Sequence, residues 1–151
     1  MFIRELNRLT GREFRLPTEA EWEFAARGGN LSKGYKYAGS NNIDEVAWDR
    51  DNAWTVGADS PDFGTHAVGT KAPNELGLYD MSGNVLERTA DRAHYTYPSE
   101  PEVDPSYPIN PGQGYSTRGG SYQDWPKHCR VSARYGIAAM AFEDVGFRLA
   151  L

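Results

Sequence analysis

Few side chains in this sequence could do chemistry on their own. Cys129 is the single cysteine, which excludes an intrachain disulfide and any metal site built from several cysteines. The three histidines, His66, His94 and His128, are too far apart in sequence for a local pair, so an iron site of clustered histidines is not expected. No Gly-x-Ser-x-Gly motif, P-loop or dinucleotide fingerprint occurs. Cys129 is predicted to be a buried structural thiol, because an unpaired cysteine behaves as a small hydrophobic residue.

The segment from Tyr122 to Asp144 carries the residues best suited to recognition. It mixes aromatic, apolar and charged side chains, which indicates either a contact surface or core packing. For Met140 and Phe142 both alternatives stay open. In a contact surface, the aromatics would supply rigid contact area at a low entropy cost. The candidate ligand-binding residues are Tyr122, Gln123, Asp124, Trp125, Lys127, His128, Tyr135, Ile137, Ala138, Met140 and Phe142.

Two helices are predicted before this segment. Residues 2–9 place four apolar side chains on one helical face, and Thr10-Gly11 ends that helix. A second helix begins with the capping box Thr18-Glu-Ala-Glu21 and ends at Gly28-Gly29.

The rest of the chain shows no sustained periodicity. Residues 30–76 are predicted to form loops and brief strands, and residues 76–87 a compact turn and strand. Residues 93–117 are predicted to form a proline-rich loop. Two strands, at 118–122 and 145–151, are predicted to bracket the recognition segment. The fold class is therefore α+β, with two short helices and much irregular structure.

Composition and charge limit the function classes. The chain has 151 residues, a length typical of one domain, and a formal net charge of −5. An acidic chain without Lys/Arg clusters is a poor nucleic-acid binder, and no apolar run is long enough to span a membrane. These properties favour a single domain over 1–151 and argue against a nucleic-acid partner and a membrane span.

Four blocks of the sequence resemble the formylglycine-generating-enzyme family, whose domains are also called sulfatase-modifying-factor domains. The blocks are Phe14–Gly29, Pro73–Glu87, Arg118–Ser121 and Val145–Leu149. The resemblance implies a C-type-lectin-like fold with a small antiparallel sheet. Family members usually carry a further N-terminal segment before the position that matches Phe2. The resemblance therefore implies a minimal domain, a fragment, or a sheet completed by a homodimer or a partner chain.

The resemblance also implies how catalysis in this family works, and the sequence departs from that pattern. Formylglycine generation uses two copper-binding cysteines after the Arg-Gly-Gly-Ser block, and the first of these positions corresponds to Asp124. The family's Gly-Asn-Val-Trp-Glu-Trp block reads Gly83-Asn-Val-Leu-Glu-Arg88, without either tryptophan. A non-catalytic binding module is the favoured interpretation. The alternative is an oxygen- or metal-dependent oxidoreductase of the formylglycine-generating or sulfoxide-synthase type, whose catalytic residues are lost or supplied elsewhere.

A structural calcium site is a further implication of the resemblance. The family's site matches Asp80 and Glu87 as side-chain ligands, with Gly83 and Val85 as main-chain carbonyl ligands. Such a set of oxygen donors suits Ca²⁺. The alternative is that Asp80 and Asn84 simply stabilise a turn.

The C-terminal part of the chain also resembles the variable proteins of diversity-generating retroelements, which use the same lectin-like fold. In those proteins, randomisation of template adenines diversifies selected codons. This process produces the residue types found at Tyr122, Asp124, His128, Ala133, Tyr135, Gly136, Ile137 and Ala138. The segment 122–144 would then be a variable surface, although it also suits an ordinary family member.

Overall fold

The computed structural model describes residues 2–93, 96, 99–110, 113–138 and 140–151, so His94 lies outside the described residues. It confirms the α+β class, with short elements joined by long irregular segments. The helices are α1 (Phe2–Thr10), α2 (Glu19–Ala26) and the short α3 (Ile43–Val46). The strands are β1 (Leu86–Arg92), β2 (Tyr115–Arg118), β3 (Arg134–Ile137) and β4 (Val145–Gly146).

The predicted capping box begins α2. The Thr18 hydroxyl accepts a hydrogen bond of 3.2 Å from the Glu21 amide, and the Thr18 amide donates to the Glu21 carboxylate at 2.8 Å. These bonds satisfy amides that have no partner within the helix. Trp22 and Ala26 turn inward and are fully buried, so the predicted apolar side of this helix is confirmed.

The four strands form one sheet in the order β3-β2-β1-β4. Neighbouring strands pair antiparallel except β1 and β4, which run parallel. The predicted strand boundaries at the C-terminal end were wrong: β2 ends at Arg118, β4 has two residues, and β3 was not predicted. A four-residue strand is too short to show a period-2 pattern, so its pairing with β2 decides its conformation.

One row of charged side chains crosses the sheet on the face that packs against α2. Glu87 lies opposite Arg118 on the neighbouring strand, and Arg118 lies opposite Arg134. Directly opposite residues project to the same face. From that face, Arg118 and Arg134 both reach Glu19 of α2, with bonds of 2.5–3.1 Å. The contact between the helix and the sheet therefore combines these ion pairs with the buried Trp22 ring, which Arg118 contacts.

The apolar core is small and lies between α2 and the loops. One cluster contains Trp22, Ala26, Ala38, Met81 and Val131, and a second contains Tyr37, Val46, Ala47 and Cys129. Most of these residues come from irregular segments, which explains why hydrophobic periodicity did not reveal them. The long loops therefore supply most of the apolar core and pack against the C-terminal segment.

Candidate ligand-binding face

The predicted recognition residues divide by exposure. Trp125 is 48% exposed, Met140 62% and Phe142 43%, and Lys127 and Ala138 are also exposed. The core alternative for Met140 and Phe142 is therefore wrong. Half-buried positions are Gln123, Asp124, His128, Tyr135 and Ile137. Tyr122 is only 6% exposed, so the expectation that it belongs to the open surface is corrected.

Tyr122 is buried because it joins an aromatic cluster with residues distant in sequence. Its ring lies 5.8 Å from that of Trp54, and Trp54 lies 5.0 Å from Phe63. Its hydroxyl accepts a 2.8 Å hydrogen bond from Gln123, whose amide also donates to Glu143 at 3.0 Å. Tyr122 thus anchors the start of the recognition segment to the interior.

Arg50 is a member of the face that sequence reasoning missed. Its guanidinium lies 4.8 Å from the centre of the Trp125 ring and donates to the Gln123 carbonyl at 3.2 Å. Its amide donates to the Asp124 carbonyl at 2.9 Å. Arg50 begins a single π-helical turn that ends at Trp54, so one short element supports both Trp125 and Tyr122. Nothing in the local sequence signals this, because the contacts span more than seventy residues.

His128 and Tyr135 join the first loop of the face to β3. The His128 ring Nδ1 contacts the Tyr135 hydroxyl, and the ring centres are 5.4 Å apart. Burial, together with the negative charge of Asp124, raises the pKa of Tyr135 to about 12. The phenol therefore keeps its proton well above neutral pH.

Ile137 and Met140 belong to a second part of the face. Ile137 lies opposite Tyr115 in the sheet, and the guanidinium of Arg88 lies 5.2 Å from the Tyr115 ring centre. Arg88 in turn donates to the Met140 carbonyl. Tyr135 and Ile137 are two residues apart on one strand and so project to the same side of the sheet, the side opposite α2.

Asp124 stands where the formylglycine-generating enzymes have a catalytic cysteine. In this chain it has a structural role. Its Oδ2 accepts from both the amide and the hydroxyl of Ser121, each at 3.0 Å. The same hydroxyl lies 3.2 Å from Asp144. These bonds close the loop that follows β2.

Cys129 is fully buried, as predicted. Burial raises the pKa of the Cys129 thiol, and the negative charges of Asp49 and Asp124 raise it further. Since the thiolate is the reactive and metal-binding form, this cysteine contributes packing. Among the described residues, no three His, Cys, Asp or Glu side chains are grouped so that they could hold a metal ion.

Three of the four residues of the predicted calcium site, Asp80, Val85 and Glu87, line one cavity of about 420 Å³, and Gly83 does not. Asp80 has a φ of 56° and accepts from the Gly69 amide at 2.8 Å. Glu87 is 6% exposed; Arg148 donates to both of its oxygens at 2.6 Å, and Trp22 donates to one. Both Glu87 oxygens accept from Arg148, so a calcium ion bound by Glu87 would have to displace Arg148. Calcium binding stays a prediction.

A family assignment follows from comparison with known proteins. The chain matches the model of the sulfatase-modifying factor enzyme 1-like domain over residues 2–151. The chain belongs to this family. It is 37% identical over 150 aligned residues to the formylglycine-generating enzyme of Streptomyces coelicolor, with 90% of this chain and 46% of that enzyme covered.

Solved structures support the same assignment. The sulfatase-modifying-factor chain described here superposes on Treponema denticola variable protein 1 with a TM-score of 0.75 and 36% identity, over 90% of this chain and 46% of that one. It superposes on PvdO from Pseudomonas aeruginosa with a TM-score of 0.77 and 29% identity, over 98% and 56%. The C-type-lectin-like fold and the resemblance to a variable protein are thereby confirmed. The chain spans less than half the length of the curated relative it matches.

None of the described helices has the length and apolar character needed to cross a membrane.

Proposed function

We propose that this sulfatase-modifying-factor domain is a non-catalytic binding module that presents its C-terminal segment to a protein or small-molecule ligand. The observation that carries the proposal is the division of that segment into a buried frame and an exposed set. Arg118, Ser121 and Cys129 are fully buried. The exposed set is Trp125, Lys127, Ala138, Met140 and Phe142. Such a frame can hold changing side chains without changing its own packing.

The chemistry of the exposed set supports recognition. Trp125 is an exposed aromatic ring that Arg50 holds in place, and Met140 and Phe142 add exposed apolar surface. Aromatic and apolar side chains with fixed positions are the groups that dominate binding energies at protein interfaces. The neighbouring Lys127 and Glu143 add charges of both signs, which would select the orientation of a ligand.

The sharpest form of the proposal is a receptor-binding protein diversified by a retroelement. Its support is the similarity to a variable protein together with the exposure of positions in 122–142. The DNA flanking the gene is expected to contain a near-copy of the segment coding Arg118–Leu151, with differences mainly at adenines, beside a reverse-transcriptase reading frame. If the flanking DNA contains no such copy, diversification by a retroelement is excluded. The proposal of a general binding module then stands alone.

A tolerance experiment tests the binding face on the protein itself. The triple variant Lys127→Ala, Met140→Ser, Phe142→Ser is expected to change the free energy of unfolding by less than about 1 kcal/mol, because exposed side chains contribute little to stability. Tyr122→Ser is expected to cost about 3 kcal/mol, because it empties a buried aromatic position. Urea denaturation measures both. A triple variant as unstable as Tyr122→Ser would place these residues in the core and contradict the proposal.

An oxidoreductase is the competing class. Copper- or iron-dependent oxygen consumption by the purified chain, measured with an oxygen electrode, would contradict a purely binding role.

Calcium binding at Asp80, Gly83, Val85 and Glu87 is proposed on the resemblance. EDTA is expected to lower the Tm, and excess Ca²⁺ to restore it, because the ion would fix a loop with little core beneath it. Glu87→Gln is expected to lower the Tm further and to make it insensitive to EDTA, since this variant also loses the pair with Arg148. If neither EDTA nor Ca²⁺ changes the Tm of the wild-type protein, the proposal of a calcium site is contradicted. Glu87 would then serve as the counter-charge of Arg148.

A further inference from the structure

Arg88 is a cation without a counter-charge in the part of the chain that the structure describes. Its guanidinium lies 5.2 Å from the centre of the Tyr115 ring and donates to the Met140 carbonyl. Its Nε is buried and has no hydrogen-bond acceptor among the described residues, and none of their ion pairs includes Arg88. An unsatisfied buried donor costs free energy, and in native proteins such a group marks a bound water, an ion or a functional site.

The arginines that face α2 differ from Arg88 in this respect. Arg118 and Arg134 both pair with Glu19. Arg88 follows Glu87 on β1, and successive residues of a strand project to opposite faces, so Arg88 lies on the side of the sheet away from α2. This position is one of the two at which the sequence departs from the family's Gly-Asn-Val-Trp-Glu-Trp block, so the guanidinium is a departure from the family pattern.

Thr117 is a second polar group without a partner, and it lies next to Arg88. The residue is fully buried, and its Oγ1 has no hydrogen-bond partner among the described residues. Thr117 lies directly opposite Arg88 in the pairing of β1 with β2, so the two side chains project to the same face with their Cβ atoms about 5 Å apart. Thr89 is equally buried, but its hydroxyl donates to the Ser116 carbonyl at 3.3 Å. Burial alone therefore does not leave a threonine hydroxyl unpaired in this sheet.

A cavity of about 270 Å³ adjoins Arg88. The residues that line it are Phe2, Ile3, Leu16, Arg88, Tyr115 and Phe147. Among these described residues, Arg88 alone carries a charge, and the others supply apolar or aromatic walls. An apolar cavity of about 150 Å³ is enough to bind benzene, so this one has room for a small apolar molecule with one polar group. We call it the Arg88 cavity.

We propose that the Arg88 cavity binds a small carboxylic acid with an aromatic or aliphatic body, and that Arg88 and Thr117 donate to its carboxylate. Two donors match the two oxygens of one carboxylate, and hydrogen bonds from a guanidinium to a carboxylate are among the strong ones in proteins. The body of the ligand packs against the rings of Tyr115 and Phe147, where it is removed from water. The proposal does not depend on what the exposed residues of the binding face bind.

The single charge favours a carboxylate over a phosphate. A phosphate group carries close to two negative charges and presents three strong acceptor oxygens, whereas Arg88 is the one cation among the described residues that line the cavity. The apolar walls offer no hydrogen bonds to the remaining phosphate oxygens, which would lose their water without replacement. A monocarboxylate places its one charge at Arg88 and its apolar body against the walls.

Benzoate is the probe for an NMR titration of the full chain labelled with ¹⁵N. The Nε–H signal of Arg88 is identified by its loss in Arg88→Met. This signal is expected to shift along a saturable curve with benzoate and to stay in place with benzamide, a neutral molecule of nearly the same shape. Benzoate is also expected to raise the Tm, because it binds the folded state.

Two arginines of β1 give a matched pair of variants. Arg88→Met is expected to weaken benzoate binding at least tenfold, because a charge-assisted hydrogen bond contributes about that factor or more. Arg92 also lies over a tyrosine ring, 5.8 Å from the centre of Tyr107, but it is not among the described residues that line the Arg88 cavity. Arg92→Met is expected to leave the benzoate affinity unchanged.

Thr117→Val tests the second donor. Valine keeps the shape of the side chain and removes the hydroxyl, so this variant is expected to bind benzoate about threefold or more weakly. Without benzoate, its Tm is expected to be no lower than that of the wild type, because the Thr117 hydroxyl has no described partner to lose. Thr89→Val, which loses the hydrogen bond to Ser116, is expected to lower the Tm.

Four results would overturn the proposal. An Arg88 signal that benzoate leaves unchanged would show that the cavity does not bind it. Equal shifts with benzoate and benzamide would show an apolar cavity that does not recognise a carboxylate. An equal shift with inorganic phosphate at the same concentration would show a general anion site. A Thr117→Val variant as destabilised as Thr89→Val, with unchanged benzoate affinity, would show that the Thr117 hydroxyl bonds to buried water and not to a ligand.

Discussion

Replacement of Glu19 with glutamine is expected to lower the free energy of unfolding by about 3–5 kcal/mol, the usual cost of removing one partner from a buried ion pair. Glu19 is 3% exposed and accepts hydrogen bonds from Arg118 and Arg134. Arg118 is fully buried and also pairs with Glu23, so its charge stays partly compensated and the loss is expected at the lower end of this range. In a domain of this size, the fall in Tm is expected to be roughly 10 °C.

Glu21→Gln is the matched control, because Glu21 lies on the same helix and also pairs with an arginine. Its pair with Arg15 is about half exposed on both sides, and exposed pairs contribute about 1 kcal/mol or less. Glutamine can keep the capping box with Thr18. Differential scanning calorimetry of the two variants makes the comparison. Equal losses would show that the buried row of charges does not stabilise the contact between α2 and the sheet.

Acid is expected to reproduce part of the Glu19→Gln effect. Burial by itself raises the pKa of Glu19, but the hydrogen bond from Arg134 and the charges of Arg118 and Arg134 outweigh it, so the pKa is lowered in the folded state. Because the pKa is lower in the folded than in the unfolded state, the ionised carboxylate stabilises the fold at pH values above the ordinary glutamate pKa. This stabilisation is lost as the pH falls through the pKa of the folded state. The stability difference between wild type and Glu19→Gln should therefore shrink below about pH 4.5. A constant difference down to pH 3 would contradict this assignment.

Gly83→Ala is expected to lower the free energy of unfolding by about 2–5 kcal/mol. Part of the loss comes from placing alanine in a left-handed backbone conformation and part from overpacking. Gly83 has a φ of 72°, and its amide donates to the Gly119 carbonyl at 2.8 Å. A methyl group there would overlap the Trp48 carbonyl oxygen and come within 2.9 Å of its carbonyl carbon. The displaced backbone leads directly into Arg50, which supports Trp125, so the binding face is expected to be disturbed as well.

Gly77→Ala separates the two causes. Gly77 has nearly the same φ, 75°, but nothing lies within 4 Å of an added Cβ, so only the backbone cost of about 1–2 kcal/mol is expected. Urea denaturation gives the free energies of unfolding. The chain has four tryptophans, so iodide quenching is compared with and without Trp125→Phe, and the difference reports the exposure of Trp125. Equal losses in both variants would show that the loop relaxes around the added methyl group.

The sequence by itself determined the helices α1 and α2 and the family. The Thr18–Glu21 capping box and the glycines after α2 act within a few residues, and such interactions form wherever their spacing occurs. The four sequence blocks identified the fold because they mark the positions where loops must turn and pack. The sequence did not show which of residues 122–142 are buried and which are exposed. Tyr122 and Trp125 are both aromatic and nearly adjacent, so local sequence does not distinguish them.

The tertiary structure alone decided which of these residues face solvent. Tyr122 is buried by Trp54, and Trp125 is held outward by Arg50; both partners lie about seventy residues earlier in a segment without periodicity. Glu87 likewise matched a calcium position by spacing, whereas in the fold its carboxylate meets Arg148, sixty-one residues later. Contacts of this kind depend on how loops close in space, and a one-dimensional pattern contains no record of that closure.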